Sequence, residues 1–288
     1  MLTVILFLVT TFTMTWSFWF LAAAYARGAG IASAPEPGLW TLFLYLGTFS
    51  PAFVALAMTW RHDGSRGVRT LLARLIQWNV AARWYLFAIG FMATVKLTAA
   101  VVHRGAFGTW PSFGDVSIAL MFAGTVFSVL AGGQTGEEIG WRGYALPRLA
   151  ARTGLGWASV ILGAVWAFWH LPLFYIFPFA DTNGQSFPLY TVQVVALSVA
   201  LSWLWWRTNG SLLLTMLLHS AVNNTKDIVP SAVQGATAVW GLSTSRLAWI
   251  GAALLWLCAA AFLFDMRRRI GGYVMRQVRD ARHHSLDP

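Results

Sequence analysis

Glu137 and Glu138 stand side by side in Gly-Glu-Glu-Ile-Gly-Trp-Arg-Gly-Tyr, in a chain with only 10 acidic residues among 288 and long apolar runs on both sides. An ionisable residue at membrane depth costs about 2.5–3.5 kcal/mol on insertion scales, so a carboxylate pair in such surroundings points to chemistry. On a helix, Glu138 and Arg142 are spaced i, i+4 with the acid on the N-terminal side, the favourable order for an ion pair. Glu137, turned about 100° away, is free to face something else. Two of the six histidines also fall inside apolar runs. His170 follows Trp166 by one turn in Val-Trp-Ala-Phe-Trp-His-Leu-Pro, so an aromatic ring can pack against the imidazole. His219 precedes Asn223 by four residues in Leu-Leu-His-Ser-Ala-Val-Asn-Asn, which puts both on one helical face. A lone intramembrane histidine is more often an interhelical hydrogen bonder than a catalyst. Three separate polar clusters in one apolar chain shift that balance towards catalysis.

These residue types suit hydrolysis without a side-chain nucleophile. A carboxylate and an imidazole placed around one water can take its proton as it attacks a carbonyl, provided that both titrate near working pH. Burial raises a carboxylic acid's pKa and lowers an imidazole's, which brings the two towards each other. Glu137 and His170 suit that role. A second imidazole beside an amide can donate hydrogen bonds to the oxyanion, where losing one donor typically costs about 2.7–4 kcal/mol of transition-state stabilisation. His219 and Asn223 suit that one.

The elements that must position these groups are membrane helices. Hydrophobic residues make up 58% of the chain and charged residues 10%, with a mean hydropathy of +0.61, which leaves too little polar surface to cover a soluble globule. Apolar runs of the length that crosses a bilayer fall near 1–23, 39–60, 84–102, 116–135, 156–179, 187–206, 211–229 and 247–266. About eight transmembrane helices are therefore expected, in an all-α, polytopic integral membrane protein with an internal polar cavity. The first run reads as a span rather than a signal peptide, because it lacks a basic n-region and exceeds an h-region in length.

The net charge of +10 would suggest nucleic acid in a soluble protein, but here the basic residues follow the expected membrane topology. With the N-terminus inside, the inner segments hold most of the arginines: Arg61 to Arg83, then Arg142, Arg148 and Arg152, then Arg207, then the tail from Arg267. Both termini are expected in the cytoplasm, with 136–155 as a cytoplasmic loop. Between the second and third spans, Val68, Leu71, Leu72, Leu75 and Ile76 form a helical stripe suited to the headgroup region. Pro51, Pro172 and Pro178 interrupt apolar segments and are tolerated where neighbours satisfy the freed carbonyls. The single cysteine, Cys258, excludes an internal disulfide and reads as a packing residue. No repeat or polar linker divides the chain, so 1–288 is read as one membrane domain with its motif-bearing core at about 116–229.

The three clusters together resemble the motifs of the CAAX protease and bacteriocin-processing family of intramembrane glutamate endopeptidases. Its E-E-x-x-x-R motif is matched by Glu137, Glu138 and Arg142. Its F-x-x-x-H motif appears as Trp166 to His170, a departure that keeps an aromatic. Its H-x-x-x-N motif is matched by His219 and Asn223. The resemblance spans roughly residues 40–230 and implies a helical bundle whose cavity opens towards the cytosol. It further implies that Glu137 and His170 activate water, that His219 and Asn223 form the oxyanion site, and that Glu138, Arg142 and Trp166 support them.

The resulting expectation is an intramembrane endopeptidase of a bacterial cytoplasmic membrane that cleaves near the cytoplasmic face. Its expected partners are a peptide or membrane-protein substrate and the lipid bilayer, with no nucleic acid. No cofactor is expected. The alternative on the same fold is a zinc-dependent protease using Glu137, His170 and His219, but the chain has no H-E-x-x-H and the His219/Asn223 helix offers one good zinc ligand. From other classes come a non-catalytic membrane scaffold or bacteriocin immunity factor, and a transporter. No inverted repeat supports the transporter reading.

Overall fold

The computed structural model describes residues 2–28, 38–113, 124, 126, 127, 132–176, 186–225, 229, 239–243 and 245–284, the last stretch with side chains through 268. The described residues are mainly helical, with no strand among them. In chain order the helices are α1 (Leu2–Gly28), α2 (Leu39–Ala73, continued by a 3-10 turn at Arg74–Ile76) and α3 (Ala82–Phe107). Then come α4 (Gly133–Glu138), a π-helical stretch (Ile139–Ala145), α5 (Leu146–Thr153) and α6 (Leu155–Trp169). The chain continues through α7 (Leu173–Ile176), α8 (Phe187–Arg207), α9 (Leu212–Asn224) and α10 (Arg246–His284).

Among the described residues, six helices are long and apolar enough to cross a membrane: Leu2–Ala26, Leu39–Ile76, Ala82–Phe107, Leu155–Tyr175, Phe187–Arg207 and Arg246–Arg268. The molecule is an all-α polytopic membrane protein. The expected span at 116–135 falls mostly outside the described residues, as does Pro178. The one expected at 211–229 is the 13-residue α9, which at 1.5 Å per residue is too short to cross alone.

Segment 136–155 differs most from expectation. It is a nearly continuous helical run rather than a loop, and Arg142 within it is fully buried. Counting charges as loop markers misplaces this residue, because its charge is paired inside the bundle instead of solvated. The stripe at 68–76 does lie on helix. Gly64, at φ 61 and ψ −161, kinks α2 just before it, and Leu71 turns into the core while Leu72 and Ile76 remain exposed.

Close backbone approaches hold the central helices. A Cβ on Gly163 of α6 would come within 2.8 Å of the Val195 Cα on α8, and Ser198 of α8 donates to the Ser159 carbonyl at 2.9 Å. Small residues at such crossings give the van der Waals packing that drives helix association where lipid removes the hydrophobic term. Pro51 sits inside α2 without an N–H, which leaves the Gly47 carbonyl one turn earlier without its helical donor. Thr15 of α1 supplies that donor at 2.9 Å, so the proline also fastens α1 to α2.

Candidate active site

Helix α4 and the π-helical stretch carry the acidic pair against α2. A Cβ on Gly136 would lie 2.9 Å from the Phe49 Cα, and one on Gly140 would lie 2.4 Å from the Pro51 Cβ and 2.8 Å from its carbonyl carbon. Only glycine permits this approach. At the end of the stretch the Leu146 N–H bonds to the Trp141 carbonyl, five residues back. Such π turns are uncommon and concentrate at functional sites.

Glu138 and Arg142, both fully buried, are joined at 2.9 Å. The same Glu138 oxygen accepts from His219 Nδ1 of α9 at 3.0 Å. A carboxylate can only accept here, so His219 carries its proton on Nδ1. The Arg142 guanidinium lies over the Trp166 ring, 4.5 Å from its centroid, and His219 meets that ring edge-on at 5.1 Å. Glu137 points to the opposite side of this group. Its Oε2 accepts from Trp166 Nε1 at 2.6 Å, and His170 Nε2 lies 4.0 Å from that same oxygen.

His170 caps the C-terminus of α6, where the chain leaves the helix ahead of Pro172. Its Nδ1 lies 2.8 Å from the Trp166 carbonyl, an acceptor, so this nitrogen is the donor and Nε2 presents its lone pair towards Glu137. Trp166, Trp169 and Tyr190 surround the imidazole edge-on at 5.7, 4.6 and 5.5 Å. Trp16 of α1 donates to the Trp169 carbonyl at 3.0 Å, and Trp169 Nε1 donates to Thr15 at 3.0 Å, which ties the end of α6 to α1. His170 keeps 14% of its side chain accessible and Glu137 keeps 7%, so water can reach the space between them.

The structure thus brings together Glu137, Glu138, Arg142, Trp166, His170 and His219 from three separate regions of the chain. Asn223 lies one turn beyond His219 and is exposed among the described residues. Two features escaped the sequence reading. Trp166 is a hydrogen-bond donor to Glu137 as well as a packing ring, which its indole N–H in place of the motif's phenylalanine could have signalled. Tyr190 of α8 flanks His170, and nothing in its apolar run distinguishes it beforehand. Among the described residues, no three His, Cys, Asp or Glu side chains are grouped so as to hold one metal ion.

Fold and site together define a polytopic membrane protein with a buried glutamate, histidine and arginine cluster at a helix junction. Residues 116–225, which include every motif residue, match the family model described as type II CAAX prenyl endopeptidase Rce1-like. A CAAX prenyl protease 2 from Methanococcus maripaludis is 20% identical over 266 residues, covering 87% of this chain and 92% of that protein. Over the region that carries all its motif residues, the chain is therefore similar to CAAX prenyl endopeptidases.

Proposed function

We propose that this protein is a membrane endopeptidase in which Glu137 and His170 activate a water for attack on a peptide carbonyl. The family match supports the coarser reading, a membrane endopeptidase. The observation that carries the finer one is the 4.0 Å between Glu137 Oε2 and the unprotonated Nε2 of His170. That separation is too long for a direct hydrogen bond, yet one water can reach both groups at about 2.8 Å. The carboxylate takes the water's proton, the oxygen attacks the carbonyl carbon, and the proton passes to the departing amine as the C–N bond breaks. Trp166 holds the carboxylate in place, and the surrounding rings hold the imidazole.

His219 is the oxyanion donor in this scheme. It can donate through Nε2 only with both ring nitrogens protonated, since Nδ1–H is engaged by Glu138. With both glutamates ionised and His170 neutral, Arg142 and a doubly protonated His219 leave the cluster without net charge, which lowers the cost of burying it. Asn223 is proposed as the second donor, one turn along α9. No step needs a Lewis acid, and no cofactor is proposed. The substrate is a peptide or membrane-protein segment presented at the bilayer, and the membrane is proposed to be the bacterial cytoplasmic membrane.

Comparing the membrane peptide profiles of cells carrying the wild-type protein and the Glu137→Gln variant tests this reading. A peptide pair that appears only with the wild type, at equal protein levels, is the expected result and identifies the substrate. Identical profiles at equal levels would count against proteolysis and favour a scaffold or immunity role.

A further inference from the structure

A second polar cavity lies away from the glutamate cluster, at the end of the bundle where α2 leaves the bilayer. It has a volume of about 510 Å³ and is lined by Thr59, Asp63, Arg66, Thr70, Arg74 and Arg148, among others. About 20 residues cross the hydrocarbon layer, so a helix that enters near Leu39 reaches headgroup level near Thr59. The cavity therefore opens at the polar boundary of the membrane.

Its charge is unbalanced. Asp63 lies 3.7 Å from Arg148, which leaves Arg66 and Arg74 as the excess cations. Thr59 is 4% exposed, and its hydroxyl has no hydrogen-bond partner among the described residues. Leu72, Ile76 and Trp78, beside Arg74 in the chain, are 38%, 74% and 70% exposed and so leave apolar surface uncovered. A ligand that satisfies all three observations carries a phosphate for the arginines, an acceptor oxygen for a hydroxyl and an apolar tail for the flank.

We infer that this cavity binds the headgroup of an anionic phospholipid. Two arginines near the membrane surface each add attraction for such a headgroup, and a guanidinium can grip a phosphate through two parallel N–H···O bonds. The flanking apolar residues favour a lipid over free phosphate. The cavity also touches Gly143 and Pro147, which continue the helical run from Glu138 and Arg142, so a bound headgroup would brace the segment that carries the acidic pair.

Native mass spectrometry of the full-length protein, delipidated and given equal amounts of phosphatidylglycerol and phosphatidylcholine, tests this inference. The wild type should retain phosphatidylglycerol selectively. Arg66→Ala/Arg74→Ala should lower that selectivity about tenfold or more, while Arg61→Ala/Arg69→Ala, the same loss of two charges at exposed arginines outside the cavity, should leave it unchanged. Equal retention of both lipids by the wild type overturns the inference whether or not the double variant folds. Unchanged selectivity in a folded Arg66→Ala/Arg74→Ala variant, or equal loss in Arg61→Ala/Arg69→Ala, also overturns it. Displacement of the lipid by an equimolar amount of inorganic phosphate would make this a simple anion site and exclude the lipid assignment.

Discussion

Trp166 joins the two halves of the site. Its ring carries the Arg142 guanidinium at 4.5 Å, and its Nε1 donates to Glu137 at 2.6 Å. Trp166→Phe retains an aromatic ring but removes the donor. A hydrogen bond to a charged group contributes about 1.5–3 kcal/mol, so kcat should fall by about tenfold or more with little change in KM. Steady-state kinetics in proteoliposomes would measure this, and an unchanged kcat would mean that the bond does not set the working position of Glu137. Glu138→Gln should behave differently. It removes the negative charge that Arg142 and His219 share and leaves a buried guanidinium uncompensated, at a cost of about 3–5 kcal/mol. Thermal unfolding in detergent should report a large loss of stability, whereas unchanged melting would show that the pair is not structural.

The stretch from Gly133 to Ala145 holds the acidic pair through glycine contacts with α2. Gly140→Ala would drive a methyl group into Pro51, and overpacking of this kind costs about 1–3 kcal/mol. Gly251→Ala provides the contrast, because a Cβ there meets nothing within 4 Å. The first variant should melt lower and lose activity, and the second should do neither; equal melting of the two would remove the close approach as a determinant of the site. At this scale the sequence was legible in part. The i, i+4 spacing of Glu138 and Arg142 anticipated their ion pair, and periodicity anticipated the helix at 68–76. Hydropathy could not reveal that 136–155 is helical and that 136–146 is buried, because Arg142 resembles a loop charge until its partner Glu138 is known. The π-helical stretch packs through Gly140 against Pro51, a contact distant in sequence that hydropathy does not report.

Across the whole molecule, basic residues gather at one end of the bundle. Asp63 and Arg148 lie 3.7 Å apart, Gln77 bonds to the Thr208 carbonyl at 3.1 Å, and Arg207 lies 3.4 Å from Asp265. These contacts bring the segments bearing Arg61–Arg83, Arg148, Arg207 and Arg267 together, while Arg246 stacks on Phe107 elsewhere in the bundle. Arg142 stands apart from this group, because it is buried within the bundle. The positive-inside rule then predicts a cytoplasmic basic end with both termini on that side. In a Cys258→Ala background, a cysteine at Ser65 should be shielded from an impermeant reagent in intact cells and one at Ser112 should react; the reverse pattern would put the basic end outside. Topology decides from which side the site is reached, but the central claim is the chemistry of Glu137. Its most direct test is cleavage of a substrate peptide by purified protein with a strong chelator present. The wild type should retain its activity, and Glu137→Gln should lose it by a factor of about 10²–10⁴ while remaining folded. Near-normal cleavage by Glu137→Gln, or loss of wild-type activity on chelation that zinc restores, would contradict a glutamate-activated water.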